Sequence, residues 1–138
     1  MAVLVKGRKY MAEKGTFLQG SVKIDGDFLM AHRCTIWGNL VVTGNLYLCP
    51  ECQINGNVIC TGGVIGRSSA INGTVMATEG PLTVCDGAKI REINCKGDVY
   101  LRPEVSSESV TGVNILVLGK VHCGKLMGKN TRVISQSA

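Results

Sequence analysis

Ile36-Trp37-Gly38-Asn39-Leu40-Val41-Val42-Thr43-Gly44-Asn45-Leu46 states Ile-x-Gly-Asn-Leu and then, six residues on, Val-x-Gly-Asn-Leu. The unit returns as Ile54-Asn55-Gly56-Asn57-Val58, eighteen residues after the first, and Ile24-Asp25-Gly26-Asp27-Phe28 precedes it. A unit recurring at fixed pitch is a sequence stacking copies of itself, and the pitch governs every other reading. One glycine series runs Gly26, Gly44, Gly62, Gly80 and a second runs Gly20, Gly38, Gly56, both in steps of eighteen.

Apolar residues keep the same step. Val22, Leu40, Val58 and Met76 form one column, and Phe28, Leu46, Val64 and Leu82 a second. Met30, Leu48, Gly66 and Val84 form a third, with a gap at Gly66; Cys34, Cys52, Ala70 and Ala88 form a fourth. Within a unit, apolar and polar residues alternate, which is the period of a strand. Gly-Asn and Gly-Asp between strands mark sharp corners. One unit is too small to bury its own apolar face, so units must stack in register, as in a solenoid. The expected fold is all-β: a single-stranded parallel β-helix of about six coils of about eighteen residues over 17–128. At a strand spacing of about 4.8 Å it makes a rod of about 30 Å.

The pitch slips after Gly80. Gly97-Asp98-Val99 follows Gly80-Pro81-Leu82 by seventeen residues, and Gly119-Lys120-Val121 follows by twenty-two more. On that step Ile93, Cys95 and Val99 match Ile115, Val117 and Val121. The extra length falls on the polar run Pro103–Ser109, where a surface bulge is expected, and the last coil ends near Gly124–Gly128.

Composition narrows the function. The chain has 138 residues, 45% hydrophobic but only 4% aromatic, with eighteen glycines and a net charge of +5. A thin aliphatic core and a mildly basic surface follow. Seven cysteines is an odd number, and residues 1–16 lack an apolar run of signal length, so free thiols in a reducing cytoplasm are expected. No stretch approaches the ~20 apolar residues that span a bilayer. Residues 1–16 and 129–138 lie outside the repeat as tails. The first carries Val3, Leu4 and Val5 beside Lys6, Arg8 and Lys9, an apolar tip with cations that suits an anionic leaflet. The alternatives for that segment are a flexible tail and a first strand covering the end of the domain.

Reactive motifs are few. Cys49-Pro50-Glu51-Cys52 has redox or half-zinc-site spacing. The register places Cys52 in an inward column with Cys34 and Cys49 outside with Tyr47, so the two thiols point apart. Cys34, Cys52 and Cys60 therefore read as small buried hydrophobes. Only His32 and His122 are present, about five coils apart, too few for a three-histidine zinc site and too distant to cooperate. Ile65–Ile71 resembles a hexapeptide run of left-handed β-helical acyltransferases, the weaker alternative. No phosphate-cradling loop, paired carboxylates or base-stacking aromatic cluster appears, so neither cofactor, metal nor nucleic acid is expected and the chain does not read as an enzyme.

The array of Ile-x-Gly-[Asp/Asn]-[Val/Leu/Phe] units at 24–28, 36–40, 42–46 (with Val first), 54–58 and 71–75 (with Thr fourth) resembles the bactofilins, polymer-forming bacterial cytoskeletal proteins. The resemblance covers about residues 17–128. It implies a right-handed parallel β-helix that polymerises end to end without nucleotide. Such a polymer lies in the cytoplasm, often at the inner face of the membrane, and scaffolds cell shape or localises cell-wall enzymes and membrane proteins. Pitch alone leaves handedness open, since three hexapeptides also make eighteen; the lack of a strict hexapeptide and the resemblance favour right-handed. Open strand edges independently favour self-pairing. The expected contacts are Phe17, Val22 and Ile24 in the first coil and Val117, Val121 and Cys123 in the last. A non-polymerising β-helical binding module is the runner-up.

Overall fold

The computed structural model describes residues 3–6 and 9–134, with side chains from Lys9 onward. The chain begins with β1 (Val3–Lys6), antiparallel to β2 (Lys9–Ala12). Turn one is β2, β3 (Phe17–Gln19) and β4 (Val22–Ile24), one strand on each of three faces. Turn two is β5 (Asp27–Met30), β6 (Thr35–Trp37) and β7 (Leu40–Val42); turn three is β8 (Asn45–Leu48), β9 (Gln53–Ile54) and β10 (Val58–Cys60). From turn four the last two faces share one bent strand: β11 (Gly62–Ile65) and β12 (Ala70–Ala77), then β13 (Leu82–Val84) and β14 (Lys89–Cys95). Turn six is β15 (Val99–Leu101) and the first half of β16 (Ser106–Leu118); the rest of β16 leads into β17 (His122–Ile134) and turn seven. All these stacked strands pair in parallel, and β1 against β2 is the antiparallel exception. The parallel β-helix expected from the repeat is the fold, with about seven turns rather than six. The added turn comes from both ends, because Lys9–Ala12 stacks on Asp27–Met30 and the last strand runs on to Ile134.

The glycine series has a steric origin. At the corner between the second and third faces, a Cβ on Gly56 would lie 2.6 Å from the Gly38 carbonyl carbon and closer still to its oxygen. Gly38 sits the same way on Gly20, and Gly73 on Gly56. Backbone rests directly on backbone, so a side chain has no room. The residue after the glycine closes the corner by hydrogen bonding. Asn39 and Asn57 each accept, through a side-chain oxygen, the backbone N–H of the next turn, Asn57 at 2.8 Å and Thr74 at 2.9 Å, and Asp27 does the same for Asn45 at 2.8 Å at the corner between the third face and the first face of the next turn. The Gly-Asn signature is thus a device for joining turn to turn. At the corner between the first and second faces the rule is conformational instead. Gly15, Arg33, Glu51, Ser68, Gly87 and Glu104 all take the left-handed conformation, with φ from 57° to 74°.

Inside the rod, side chains stack in columns. Ala12, Met30, Leu48, Ile65, Val84, Leu101 and Val117 form one, all buried. Ile36, Ile54, Ile71 and Ile90 form another. Each such Ile or Leu contributes about 1.5–3 kcal/mol by leaving water.

Turn four corrects the fixed-step columns. Thr61 alone lies between Cys60 and Gly62, where the preceding turn has Thr43-Gly44. One residue fewer moves every later side chain in that turn to the opposite face. Hence Gly63, Ile65, Ser69 and Val75 take the inward places expected for Val64, Gly66, Ala70 and Met76. The gap expected at Gly66 is filled by Ile65. A longer corner at 78–81 restores the phase, so Leu82, Val84 and Ala88 fall inside as expected.

The C-terminal turns also differ from expectation. Val99 pairs with Ile115 and Leu101 with Val117, a step of sixteen, and Ile93 pairs with Val110. The twenty-two-residue match of Val99 to Val121 is not formed. Pro103 and Glu104 make an ordinary corner, Val105 and Val110 are fully buried, and Ser106–Ser109 belongs to β16 rather than to a surface bulge. The pitch shortens because the corners between faces lose residues.

Steric stacking at the glycine corner yields a direct test. Gly56→Ala is expected to cost about 2 kcal/mol or more, since the neighbouring backbone must shift. Gly15→Ala meets nothing within 4 Å and carries only the left-handed penalty of about 1 kcal/mol. Urea unfolding of both variants measures the difference; equal costs would refute the backbone-on-backbone explanation.

Candidate functional site: the two ends of the rod

The two ends differ. The column that begins at Ala12 closes at Val133, which pairs with Val117. Ala12 is 0% exposed, Val117 4%, and Val133 60%. At the N-terminal end, β1 lies along the outer edge of β2. The outer edges of β3 and β4 have no partner strand among the described residues. At the C-terminal end, β17 pairs only with β16, in register from Ser106↔His122 to Leu118↔Ile134. Its outer edge is unpaired among the described residues around the whole turn. Leu126, Met127, Val133 and Ile134 are 37–60% exposed there.

The expected contact residues scatter across this geometry. Ile24 is buried in the lumen and Val22 half-buried on the first turn. Phe17 is exposed on the side of the rod, 6.1 Å from the Trp37 ring, so it does not face the end. Val117 lies one turn below the end, beneath Val133, while Val121 and Cys123 are half-buried at the start of the final turn. The terminal residues that the sequence did not disclose are Leu126, Met127, Val133 and Ile134. The sixteen-residue step from Val110 to Leu126 and from Val117 to Val133 is the signal that marks them. Of the proposed membrane-contact segment, Val3, Leu4, Val5 and Lys6 form β1, and Lys9 is exposed at the start of β2. Arg8 and the side chains of Val3, Leu4, Val5 and Lys6 lie outside the described residues.

Charge also concentrates at the ends. Residues 1–23 hold Lys6, Arg8, Lys9, Lys14 and Lys23 against Glu13. Residues 119–138 hold Lys120, Lys125, Lys129 and Arg132 with no carboxylate. Each end is therefore net +4 and the intervening length net −3, within the chain total of +5. Along the sides, polar pairs climb from turn to turn: the ion pairs Arg33–Glu51 at 2.8 Å and Asp86–Arg102 at 3.2 Å, and the Glu104–His122 hydrogen bond at 3.1 Å. The Arg33 hydrogen bond and charge hold the Glu51 carboxyl below its ordinary range. All are exposed and contribute little to stability.

The cysteines follow the register. Cys34 and Cys52 point inward at 1–2% exposure, and their Sγ atoms donate to the carbonyls of Glu13 at 3.0 Å and Ala31 at 3.1 Å. Cys49, across the corner, is half-buried, and all seven thiols are free. Burial pushes Cys52 up to about 11 and Cys60 up to about 12, which disfavours the reactive thiolate. No group of three His, Cys, Asp or Glu side chains able to hold a metal occurs among the described residues. His32 sits exposed at a corner of turn two, and His122 opens the last turn beside Glu104. A shallow groove of about 560 Å³ runs along the second face, lined by Lys89, Arg91, Ser106 and His122 among others. No helix among the described residues is long and apolar enough to cross a membrane.

Thiol burial sets a pH dependence. The folded chain keeps the Cys52 and Cys60 protons while the unfolded chain releases them above the ordinary value of 9.0. Their contribution is therefore complete below about pH 9 and lost as pH rises toward 11–12. The double variant Cys52→Ala/Cys60→Ala should show a flatter alkaline fall in thermal midpoint than the wild type. Parallel curves would refute the burial of these thiols in the protonated form.

No family model, no curated protein and no solved structure matches the chain.

Proposed function

We propose that this protein is a structural scaffold: a β-helical rod that associates end to end, without nucleotide, into bactofilin-like filaments that shape the cell or position wall and membrane proteins. The observation that carries this reading is the last turn, left uncovered among the described residues, where Val133 is 60% exposed above a fully formed core column. An apolar lumen ending in unpaired strand edges is a surface that another chain can continue. The resemblance of the Ile-x-Gly-Asn array to the bactofilins points the same way. The mid-rod stretch Ile36–Leu46 then serves as rigid spacing, and the recognition chemistry belongs to the ends and sides. The proposed setting is the cytoplasm, with Val3–Lys6 and Lys9 as the proposed contacts to an anionic leaflet; no catalytic role is proposed.

A second reading, a binding module that does not polymerise, draws on two features: β1 already occupies part of the N-terminal end, and both ends are net +4. The two readings diverge in salt. Like-charged ends repel at low ionic strength and are screened over about 10 Å at ~0.1 M salt. The scaffold reading predicts filaments or sheets by electron microscopy of nucleotide-free protein, growing more abundant as salt rises. Val133→Asp should abolish them while leaving a folded rod. Single copies at high protein and salt concentration would overturn the scaffold and leave the binding module.

A further inference from the structure

We propose that the free edge of β17 is a docking site for an acidic extended peptide, which adds to the rod as one more parallel or antiparallel strand. Three features of the last turn converge on that partner. The first is backbone: β17 is thirteen residues long and offers a continuous unpaired edge among the described residues. Unpaired N–H and C=O groups in a row are satisfied by an added strand. The second is apolar surface. Leu126 and Val133 stack above buried Val110 and Val117, so they roof the lumen, while Met127 and Ile134 stack above outward positions. The third is charge. Lys120, Lys125, Lys129 and Arg132 form no ion pair with a described residue, and no Asp or Glu side chain follows Glu108 in residues 109–138. Carboxylates on the turns below are engaged already: Glu104 with His122, Glu108 with Arg91, and Asp98, which lines a hollow with Arg132, with the Asn114 amide.

A strand alternates its side chains between two faces. On this edge, one row of the incoming peptide covers Leu126 and Val133, and the other runs beside Lys125 and Arg132. A segment alternating apolar with Asp or Glu satisfies backbone, lumen and charge together. A bilayer satisfies charge and apolar surface but leaves the edge N–H and C=O groups without partners in hydrocarbon. A second copy supplies backbone, but none of the described strands of this chain holds more than one carboxylate, and each end is net positive. The acidic segment therefore belongs to another protein. It shares the last turn with the end-to-end contact, so it would terminate a filament there, yet its binding stands whether or not filaments form.

The test uses the full chain at low concentration and low salt, where light scattering confirms single copies. A fluorescent alternating Glu-Val peptide is titrated and its anisotropy followed. Saturable binding is expected, weakened about tenfold or more by high salt. Lys125→Glu/Arg132→Glu should weaken it by a similar factor with unchanged thermal unfolding, and Lys89→Glu, on the second face, should leave it intact. Equal binding of a Lys-Val peptide would overturn the proposal. So would absence of peptide binding, including the case where phosphatidylserine vesicles bind instead. Absence of filaments in a peptide-binding protein would count against the scaffold alone.

Discussion

Everything in this rod depends on laying one turn of backbone directly over the next at the spacing of paired strands, about 4.8 Å. On the faces that spacing is achieved by parallel hydrogen bonding. At the corners the peptide planes must still stack, and any side chain in the way prevents it. Gly38 on Gly20, Gly44 on Gly26, Gly56 on Gly38 and Gly73 on Gly56 are among the points where the constraint is tightest. The Asn and Asp that follow exploit the same closeness, reaching one turn along to accept a backbone N–H. Columns of Ile, Leu and Val inside the lumen are the consequence, because identical places on successive turns see the same surroundings.

The same constraint explains how the rod tolerates irregularity. A lost residue at Thr61 and extra residues at 78–81 are absorbed at corners, while the lumen columns stay aligned. In the final turns two corners each drop a residue, and β16 and β17 bend through them as continuous strands. A turn of sixteen residues is as well paired as one of eighteen. Among the described residues no strand stacks on the final turn, so the feature that stabilises the middle leaves that turn exposed. The function proposed for this rod is accordingly assigned to the places where the periodicity stops.

Charge places a second condition on the ends. Cations gather in the first and last turns, whereas the carboxylates lie mostly along the sides, several of them in pairs that climb the rod. An end made of apolar side chains, free backbone and uncompensated cations is selective: it favours a partner with negative charge and discourages unscreened self-contact. The proposed rod-to-rod association and the proposed acidic-strand docking draw on one surface under different ionic conditions.

The amino-acid sequence by itself determined the class of fold, because glycine and apolar residues at a fixed step leave a stacked β-helix as the way to bury so thin a core. It also determined that Cys34 and Cys52 lie inside, since their register is the register of the columns. It did not reveal the extent of the rod. Lys9–Ala12 has no Gly-Asn marker and joins turn one only by pairing with Asp27–Met30. Nor could a fixed step locate Val75 in place of Met76, because one missing residue at a corner inverts a strand and leaves its composition unchanged. The open last turn was likewise illegible: Leu126 and Val133 occupy core positions by register, and only the absence of a following strand in the described structure turns them outward to solvent. Local sequence specifies what a residue prefers to stack on; the tertiary structure decides whether anything is there.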